Sequence, residues 1–269
     1  MTALAGRAAV VTGASRGIGA AIARGLAEAG ARVCVTARTM PRLEEVAASL
    51  REAGHHAVAL HCDVSDPESV ESMMRDAGEA LAGIDILVNN AGIAPSNPLH
   101  RLTLEEWNRT MAVNATGTFL CTRHAVGPMV ERGWGRVVNI ASVAGLEGSK
   151  YIAAYAASKH AVIGFTRCVA LEMAGKGVTV NAVCPGYVDT PLTDLALARI
   201  QEVTGASEEE ALARLLDKAG QDRLVEDAEV ADAVVRLCTD DAADTNGAVV
   251  VLSGRAATAH PHSEHRGDP

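Results

Sequence analysis

The feature that most limits how this chain can fold is a repeated exchange between two residue periodicities. Short runs rich in Val and Ile lie at Ala8–Val11, Val33–Val35, Val58–Leu60, Ile84–Val88, Val137–Ile140, Val178–Val183 and Val249–Leu252. They are apolar almost throughout rather than at every second residue, which suits strands covered on both faces. Between them, helical spacing covers Gly17–Ala29, Pro41–Ala53, Pro67–Leu81, Leu104–Arg132 and Tyr155–Met173. This alternation predicts an α/β chain: a doubly wound, seven-stranded parallel sheet with helices on both faces, in the Rossmann-like manner. Gly30, Gly54, Gly83 and Gly133 fall where a helix ends in a left-handed turn. Pro41 and Pro67 suit a first helical turn, and Asp66 suits the N-cap before Pro67.

No linker interrupts the rhythm, so residues 1–254 are expected to form one catalytic domain. With 48% hydrophobic residues among 269, the chain has enough apolar surface for a sizeable single core. Thr193–Asp227 departs from the rhythm, and a helical insertion over about 191–227 is expected to cover the substrate pocket. Leu192, Leu195, Leu197 and Ile200 would form its apolar inner face. The formal net charge is −9 and the basic residues are scattered, which argues against nucleic acid or an anionic membrane as partner.

Six cysteines, Cys34, Cys62, Cys121, Cys168, Cys184 and Cys238, form no C-x-x-C pair and read as reduced thiols of a cytoplasmic protein. The start shows no signal-peptide pattern, and no run of about 18 apolar residues suggests a membrane span. Residues 255–269 lack periodicity and read as a disordered tail, whose His260, His262 and His265 are solvated. No metal site is expected.

The first strand leads into TGASRGIG, Thr12 to Gly19, and then a helix. Glycines let a backbone approach a pyrophosphate, and a helix N-terminus offers N–H groups and the positive end of its dipole. Gly13, Ser15, Arg16, Gly17, Ile18 and Gly19 are therefore the expected phosphate cradle, although G-x-x-x-G-x-G differs from the usual G-x-G-x-x-G. The second strand ends at Thr36-Ala37-Arg38, without the acidic side chain that would bind the ribose 2′-hydroxyl of NAD. Arg38 and Arg16 flank the expected adenosine pocket and suit a 2′-phosphate, so NADP(H) is favoured over NAD(H).

Tyr155 and Lys159 lie one helical turn apart and share a helix face. A free tyrosine, with a pKa of about 10, is a poor acid–base group at neutral pH. A neighbouring lysine cation favours the phenolate and lowers that pKa, as does an oxidised nicotinamide ring. Ser142 follows the fifth strand, placed to hydrogen-bond a substrate oxygen. Asn114 lies inside a long helix, where a buried amide can hold a water. Tyr151 has no lysine four residues on, so only Tyr155 completes the pattern.

Thr12–Gly19, Asp63, Asn89-Asn90-Ala91-Gly92, Asn114, Ser142, Tyr155, Lys159 and the PGYVDT stretch Pro185–Thr190 occur in order. With these residues the chain resembles the short-chain dehydrogenases/reductases over residues 5 to about 252. The resemblance implies that Tyr155 is the proton donor in reduction. Lys159 would lower its pKa and bind the nicotinamide ribose, Ser142 would polarise the carbonyl, and Asn114 would hold a relay water. Asp63 and Val64 would meet the adenine, while Asn90, Ala91 and Gly92 would line the cofactor cleft. Pro185 and Gly186 would border the nicotinamide, and the Val188 main chain and Thr190 hydroxyl would hold its carboxamide. The family needs no metal.

Two groups within the family are most similar. GRVVNIAS, YAASKHAVIGFT and VNAVCPGYVDTPL are similar to β-ketoacyl and polyketide ketoreductases, which use NADPH. ERGWGRVVNIAS and the long segment after Thr190 are similar to 3-hydroxybutyrate dehydrogenases, which use NAD. Those dehydrogenases carry a carboxylate-binding lysine where Ile152 stands, and polar residues where Ala94 and Ala144 stand. Reduction of a 3-oxoacyl-type ketone, CoA- or carrier-protein-linked, is therefore expected. The alternatives are oxidation of a secondary alcohol or 3-hydroxy acid, and a non-catalytic NADP(H)-binding regulator. A regulator needs only the phosphate and adenine sites, so Ser142, Tyr155 and Lys159 argue for an enzyme. The resemblance further implies a homotetramer or homodimer built on the helices near Leu104–Arg132 and Tyr155–Met173. Family members often end in Gly-Gly and an apolar tail; here Ser253-Gly254-Arg255 leads into a polar one.

Overall fold

The computed structural model describes residues 2–255. Its seven strands are β1 (Ala8–Thr12), β2 (Arg32–Ala37), β3 (Ala57–His61), β4 (Ile86–Asn89), β5 (Gly135–Ile140), β6 (Val178–Pro185) and β7 (Val249–Leu252). All pairings between them are parallel, in the order β3-β2-β1-β4-β5-β6-β7. The helices before the last part of the sheet are α1 (Gly17–Glu28), α2 (Met40–Glu52), α3 (Pro67–Ala80), α4 (Leu104–Met111) and α5 (Gly117–Glu131). After β5 come α6 (Ala153–Met173), α7 (Pro191–Thr204), α8 (Glu208–Ala219) and α9 (Asp227–Cys238).

Strand β1 shows why the runs are apolar throughout. Ala9 and Val11 enter the core that holds Ile22, Leu26, Leu43 and Val234 of α1, α2 and α9. Ala8 and Val10 enter the opposite core, with Val70 and Met73 of α3 and Cys121 of α5. Each strand residue thus meets a helix whichever way it points, and alternation disappears from the sequence. The predicted helix ends are also found. Asp66 accepts the Glu68 N–H at 3.1 Å, and the left-handed turns at Gly30, Gly54, Gly83 and Gly133 follow their helices.

Three differences from expectation stand out. Leu104–Arg132 is not one uniform helix: Ala112–Thr116 forms a π-helical turn between α4 and α5, with Asn114 inside it. The insertion is two helices, α7 and α8, followed by α9, which packs on α1 and carries the chain back to β7. On α7, Leu197 and Ile200 pack against α8, whereas Leu192 and Leu195, expected on the same inner face, are 47% and 62% exposed. The inward stripe starts from Thr193, which is 5% exposed, so it runs Thr193, Leu197, Ile200 at helical spacing. Of the six cysteines only Cys168 is exposed, and all are free thiols. Arg255 is described, its Nε donating to the Gly220 carbonyl at 2.5 Å. The expected tail beyond it, with its three histidines, lies outside the described residues. No helix of the described residues is long and apolar enough to cross a membrane.

Candidate active site

The sheet reverses its winding between β1 and β4, and a doubly wound sheet binds ligands beyond the carboxyl ends of its strands at that point. The Gly-rich turn lies there. Arg16 is the N-cap of α1, yet no side chain caps the helix, so its first N–H groups are left available as donors at the positive end of the helix. Gly13 and Gly17 have φ of 66° and 53°, a region that disfavours side chains.

Close approach constrains the cradle further. A Cβ on Gly13 would stand 2.7 Å from the Ala91 Cα, and one on Gly19 would stand 2.5 Å from the Asn90 Nδ2. Asn90 donates from that amide to the carbonyls of Thr12 and Gly13, at 2.9 and 3.1 Å. The Thr12 hydroxyl accepts the N–H groups of Asn90 and Ala91. The turn after β4 is thereby laced against the turn after β1. A side-chain-free cradle at an uncapped helix start fits a dinucleotide pyrophosphate.

Near the ends of β2 and β3, where adenosine was expected, Val64 is buried and Arg16, in the turn after β1, is exposed. Arg38 is half-exposed and lies 4.0 Å from the Asp63 carboxylate. Asp63 Oδ1 also accepts from the Ser65 N–H at 3.0 Å and its hydroxyl at 2.6 Å. Burial raises the Asp63 pKa, but the Ser65 bonds and the cations of Arg38 and Arg109 outweigh it and hold the carboxyl below its ordinary value. Arg109 of α4 is a cation that sequence patterning did not bring to this edge.

Ser142, Tyr155 and Lys159 meet where β5 ends against the start of α6. Ser142 accepts the Ala144 N–H at 3.1 Å and acts on the Tyr155 phenol, whose charged form it favours. Gly145 makes this contact between elements possible. A Cβ there would lie 2.8 Å from Ile163 Cδ1 and 2.9 Å from the Lys159 main chain. Lys159 is 4% exposed, donates to the Ile140 carbonyl at 2.7 Å, and stands 5.7 Å from the Tyr155 ring centroid. Burial pushes its pKa down from 10.5 to about 8.

Burial also dominates at Tyr155 and raises its pKa, with Ser142 opposing. This corrects the expected lowering. The lysine aims its ammonium at the main chain rather than the phenol, so desolvation of the phenolate wins.

Asn114 is 1% exposed, and its side chain is fully engaged as a donor. Nδ2 donates to the Ile93 carbonyl and the Ser158 hydroxyl, each at 2.9 Å, while Oδ1 accepts the Ile93 N–H. The amide therefore has only acceptor capacity left for a water. Gly92 keeps open the space beside it. A Cβ there would stand 3.4 Å from Asn114 Oδ1 and 3.7 Å from Lys159 Nζ.

The PGYVDT stretch closes the other side. Gly17, in the phosphate turn, approaches Thr190 so closely that a Cβ would lie 3.3 Å from its methyl. The Val188 carbonyl accepts the hydroxyls of Thr190 and Thr193, at 3.3 and 2.6 Å, so what Val188 can offer a carboxamide is its N–H. Pro185 ends β6, with Gly186 bonded to the Leu252 carbonyl. The carboxyl ends of the strands thus carry the Gly-rich turn after β1, Asn90–Gly92 after β4, Ser142 after β5 and Pro185–Thr190 at β6, with Lys159 tied to the end of β5 through Ile140. Ile93, Ser158, Gly145 and Arg109 were missed. Only the spacing of Gly145, three residues after Ser142, gave any local hint.

The family model described as short chain dehydrogenase matches residues 7–200. The D-beta-hydroxybutyrate dehydrogenase of Rhizobium meliloti strain 1021 is 38% identical over 252 residues, 92% of this chain and 97% of its own length. A 3-oxoacyl-acyl-carrier-protein reductase of Vibrio cholerae is 38% identical over 251 residues, 93% of this chain and 97% of its own. The crystal structure of an actinorhodin polyketide ketoreductase variant with NADPH superposes with a TM-score of 0.88 at 40% identity, covering 92% of this chain and 96% of that one. The chain belongs to the short-chain dehydrogenase family, and it is an oxidoreductase enzyme.

Proposed function

We propose that this enzyme is an NADP(H)-dependent reductase of 3-oxoacyl-type ketones carried as thioesters, with Tyr155 as its proton donor. The observation that carries the proposal is the joining of Ser142, Tyr155 and Lys159 at the mouth of a cradle flanked by Arg38. A bound nicotinamide dinucleotide supplies the hydride. Ser142 and Tyr155 donate hydrogen bonds to the ketone oxygen, which polarises its carbonyl. Tyr155 passes its phenolic proton to that oxygen as charge develops there, and Lys159, 5.7 Å from the ring, supplies a nearby cation and proton source rather than a direct bond to the phenolate left behind. The phenolate then takes a proton back from Lys159, which is recharged from solvent through a water admitted at the acceptor face of Asn114 and the gap at Gly92.

The surroundings support a weakly polar ketone. Ile152, Ala94 and Ala144 offer a carboxylate no cation, and Lys150 stands exposed. Helices α7 and α8 cover the pocket in this proposal. The relative named as a hydroxybutyrate dehydrogenase supports a second reaction, oxidation of a secondary alcohol, which the same residues run in reverse. Its test is a panel of secondary alcohols with NADP. For the main proposal the test is NADPH oxidation with acetoacetyl-CoA, with NADH in parallel. Turnover that prefers NADPH is expected. Absence of turnover with intact NADPH binding would sink the thioester assignment.

Arg38→Asp tests the cofactor preference. Losing charge-assisted bonds to a 2′-phosphate and adding repulsion should weaken NADPH binding by roughly 100-fold or more. NADH, which lacks that phosphate, should lose little. Titration by nicotinamide fluorescence checks this, and equal losses for both cofactors would overturn it.

The buried lysine gives a pH prediction. Lys159 is a cation below about 8 and loses that charge as pH rises through about 8. Reduction measured as kcat/KM should therefore fall on the alkaline side with an inflection near that value. A profile flat across that range would exclude Lys159 as the charge that supports Tyr155.

Leu104, Trp107, Phe119 and Leu171 expose apolar surface on α4 to α6, which supports the homotetramer or homodimer built on these helices. Light scattering that gave a monomer would overturn it.

A further inference from the structure

Gln221 is a buried side chain outside the constellation above, and its bonds converge on one residue. It follows Gly220, the left-handed C-cap of α8, and its own N–H returns to the Leu216 carbonyl at 3.0 Å. Its side-chain Oε1 accepts the Tyr187 N–H at 2.7 Å, and its Nε2 donates to the Tyr187 carbonyl at 3.2 Å. The same Nε2 donates to the Arg223 carbonyl at 3.1 Å. The residue is 7% exposed, so these bonds form away from water, where an unmade one is costly.

Two glycines make room for this carboxamide. A Cβ on Gly186 would stand 2.7 Å from the Gln221 Cδ, and one on Gly254 would stand 2.9 Å from its Nε2. Glycine at both positions lets the amide lie flat against the main chain between β6 and the end of the described chain.

Tyr187 joins two parts of the molecule. Its ring packs on the cluster formed by Leu197 of α7 with Ala211 and Leu215 of α8. Its main chain follows Gly186 beyond the end of β6, beside the end of β5 that leads to Ser142, in the stretch whose Thr190 meets Gly17. The residue therefore connects the covering helices to the strand ends that carry the site, and Gln221 fixes the main chain that aims it. Val225 adds a further bond, its N–H donating to the Tyr187 carbonyl at 2.9 Å. Val225 alone leaves the Tyr187 N–H unpaired.

We infer that Gln221 is a positioning residue: it joins the end of α8 to the catalytic centre by holding Tyr187 as a wall of the substrate pocket. This rests on the assignment of Tyr155 as proton donor. Gln221 touches neither the proton donor nor the cradle in this arrangement. Its loss should therefore act on substrate binding more than on chemistry or cofactor.

The test is a double-mutant cycle with Gln221→Met and Tyr187→Ala, using acetoacetyl-CoA and NADPH. Gln221→Met keeps the length of the side chain and removes its bonds to Tyr187. It should raise KM about tenfold, the worth of one or two such bonds, with kcat within about threefold and NADPH affinity unchanged. Tyr187→Ala should raise KM at least as much. The double variant should be no worse than Tyr187→Ala, because Gln221 acts through that residue.

Effects on KM that multiply would overturn the inference, as would Gln221→Met with unaltered KM. Hydrogen exchange supplies a second arm that needs no substrate. In Gln221→Met the amides of 186–189 should exchange faster while those of 153–160 stay unchanged, and equal protection at 186–189 would also overturn it. Failure of the proton-donor assignment shows elsewhere, as turnover retained in Tyr155→Phe. If acetoacetyl-CoA is not turned over, the thioester proposal falls and the exchange arm still decides the role of Gln221.

Discussion

Tyr155→Phe is expected to lower turnover by about 10²–10⁴-fold, the usual contribution of a positioned acid–base group. The ring remains, so its packing at the start of α6 survives, and so does the Ser142 cap on Ala144. What disappears is the proton donor and one of two hydroxyls aimed at the ketone oxygen. NADPH affinity should change by less than about threefold, because the cradle at Gly13–Gly19 and Arg38 is untouched. Turnover followed at the nicotinamide absorbance and binding followed by fluorescence separate these effects. Unchanged turnover would remove Tyr155 from its role. Lost binding together with lost turnover would show instead that the variant disturbs the crevice.

The sequence carried the strands, most helix ends and the Gly-rich turn after β1 because each rests on local chemistry. Val and Ile runs report two-sided burial wherever they occur, and Pro67 behind Asp66 reports a helix start with no tertiary help. Thr12–Gly19 was legible because glycine at a strand-to-helix turn has few other uses. The missed features depend on contacts between distant segments. A π turn adds one residue and rotates the following face by about 100°, a shift that does not stand out in a long apolar helix. Asn114 was recognised, but its partners Ile93 and Ser158 lie 21 and 44 residues away.

The same holds for electrostatics. A lysine four residues after a tyrosine suggests a lowered phenol, yet the outcome depends on where the ammonium points and how dry the site is. Here Lys159 turns to the Ile140 carbonyl and burial raises Tyr155. On α7 the leucines misled for a comparable reason. Leu192 and Leu195 look like half of an apolar stripe, but Thr193 takes the buried position, its hydroxyl satisfied by the Val188 carbonyl. A polar residue with a main-chain partner packs inward as readily as a leucine, and composition alone cannot show that partner.

Gly19→Ala should abolish useful cofactor binding, although alanine is ordinarily the better helix former by about 1 kcal/mol. Gly19 sits in the first turn of α1, where its added methyl would lie 2.5 Å from Asn90 Nδ2, 2.6 Å from the Gly13 carbonyl and 2.9 Å from Ala14 Cα. None of these is the loose end of a flexible chain. Asn90 is held by its bonds to Thr12 and Gly13, so relief requires opening the turn that forms the cradle. Overpacking of this kind costs about 1–3 kcal/mol of stability. NADPH affinity should fall by about 100-fold or more, since each backbone N–H must meet its phosphate oxygen within hydrogen-bond distance. Gly78→Ala is the matched control. Gly78 lies inside α3 with nothing within 4 Å of the added methyl, so stability should rise by about 0.5–1 kcal/mol with NADPH affinity unaltered. Thermal melts with and without NADPH distinguish the two. Gly19→Ala should melt lower and lose most of its ligand-induced shift, whereas Gly78→Ala should melt slightly higher and keep it. A full shift in Gly19→Ala would mean that the cofactor does not rest on this turn, and the cradle would have to be sought elsewhere in the crevice.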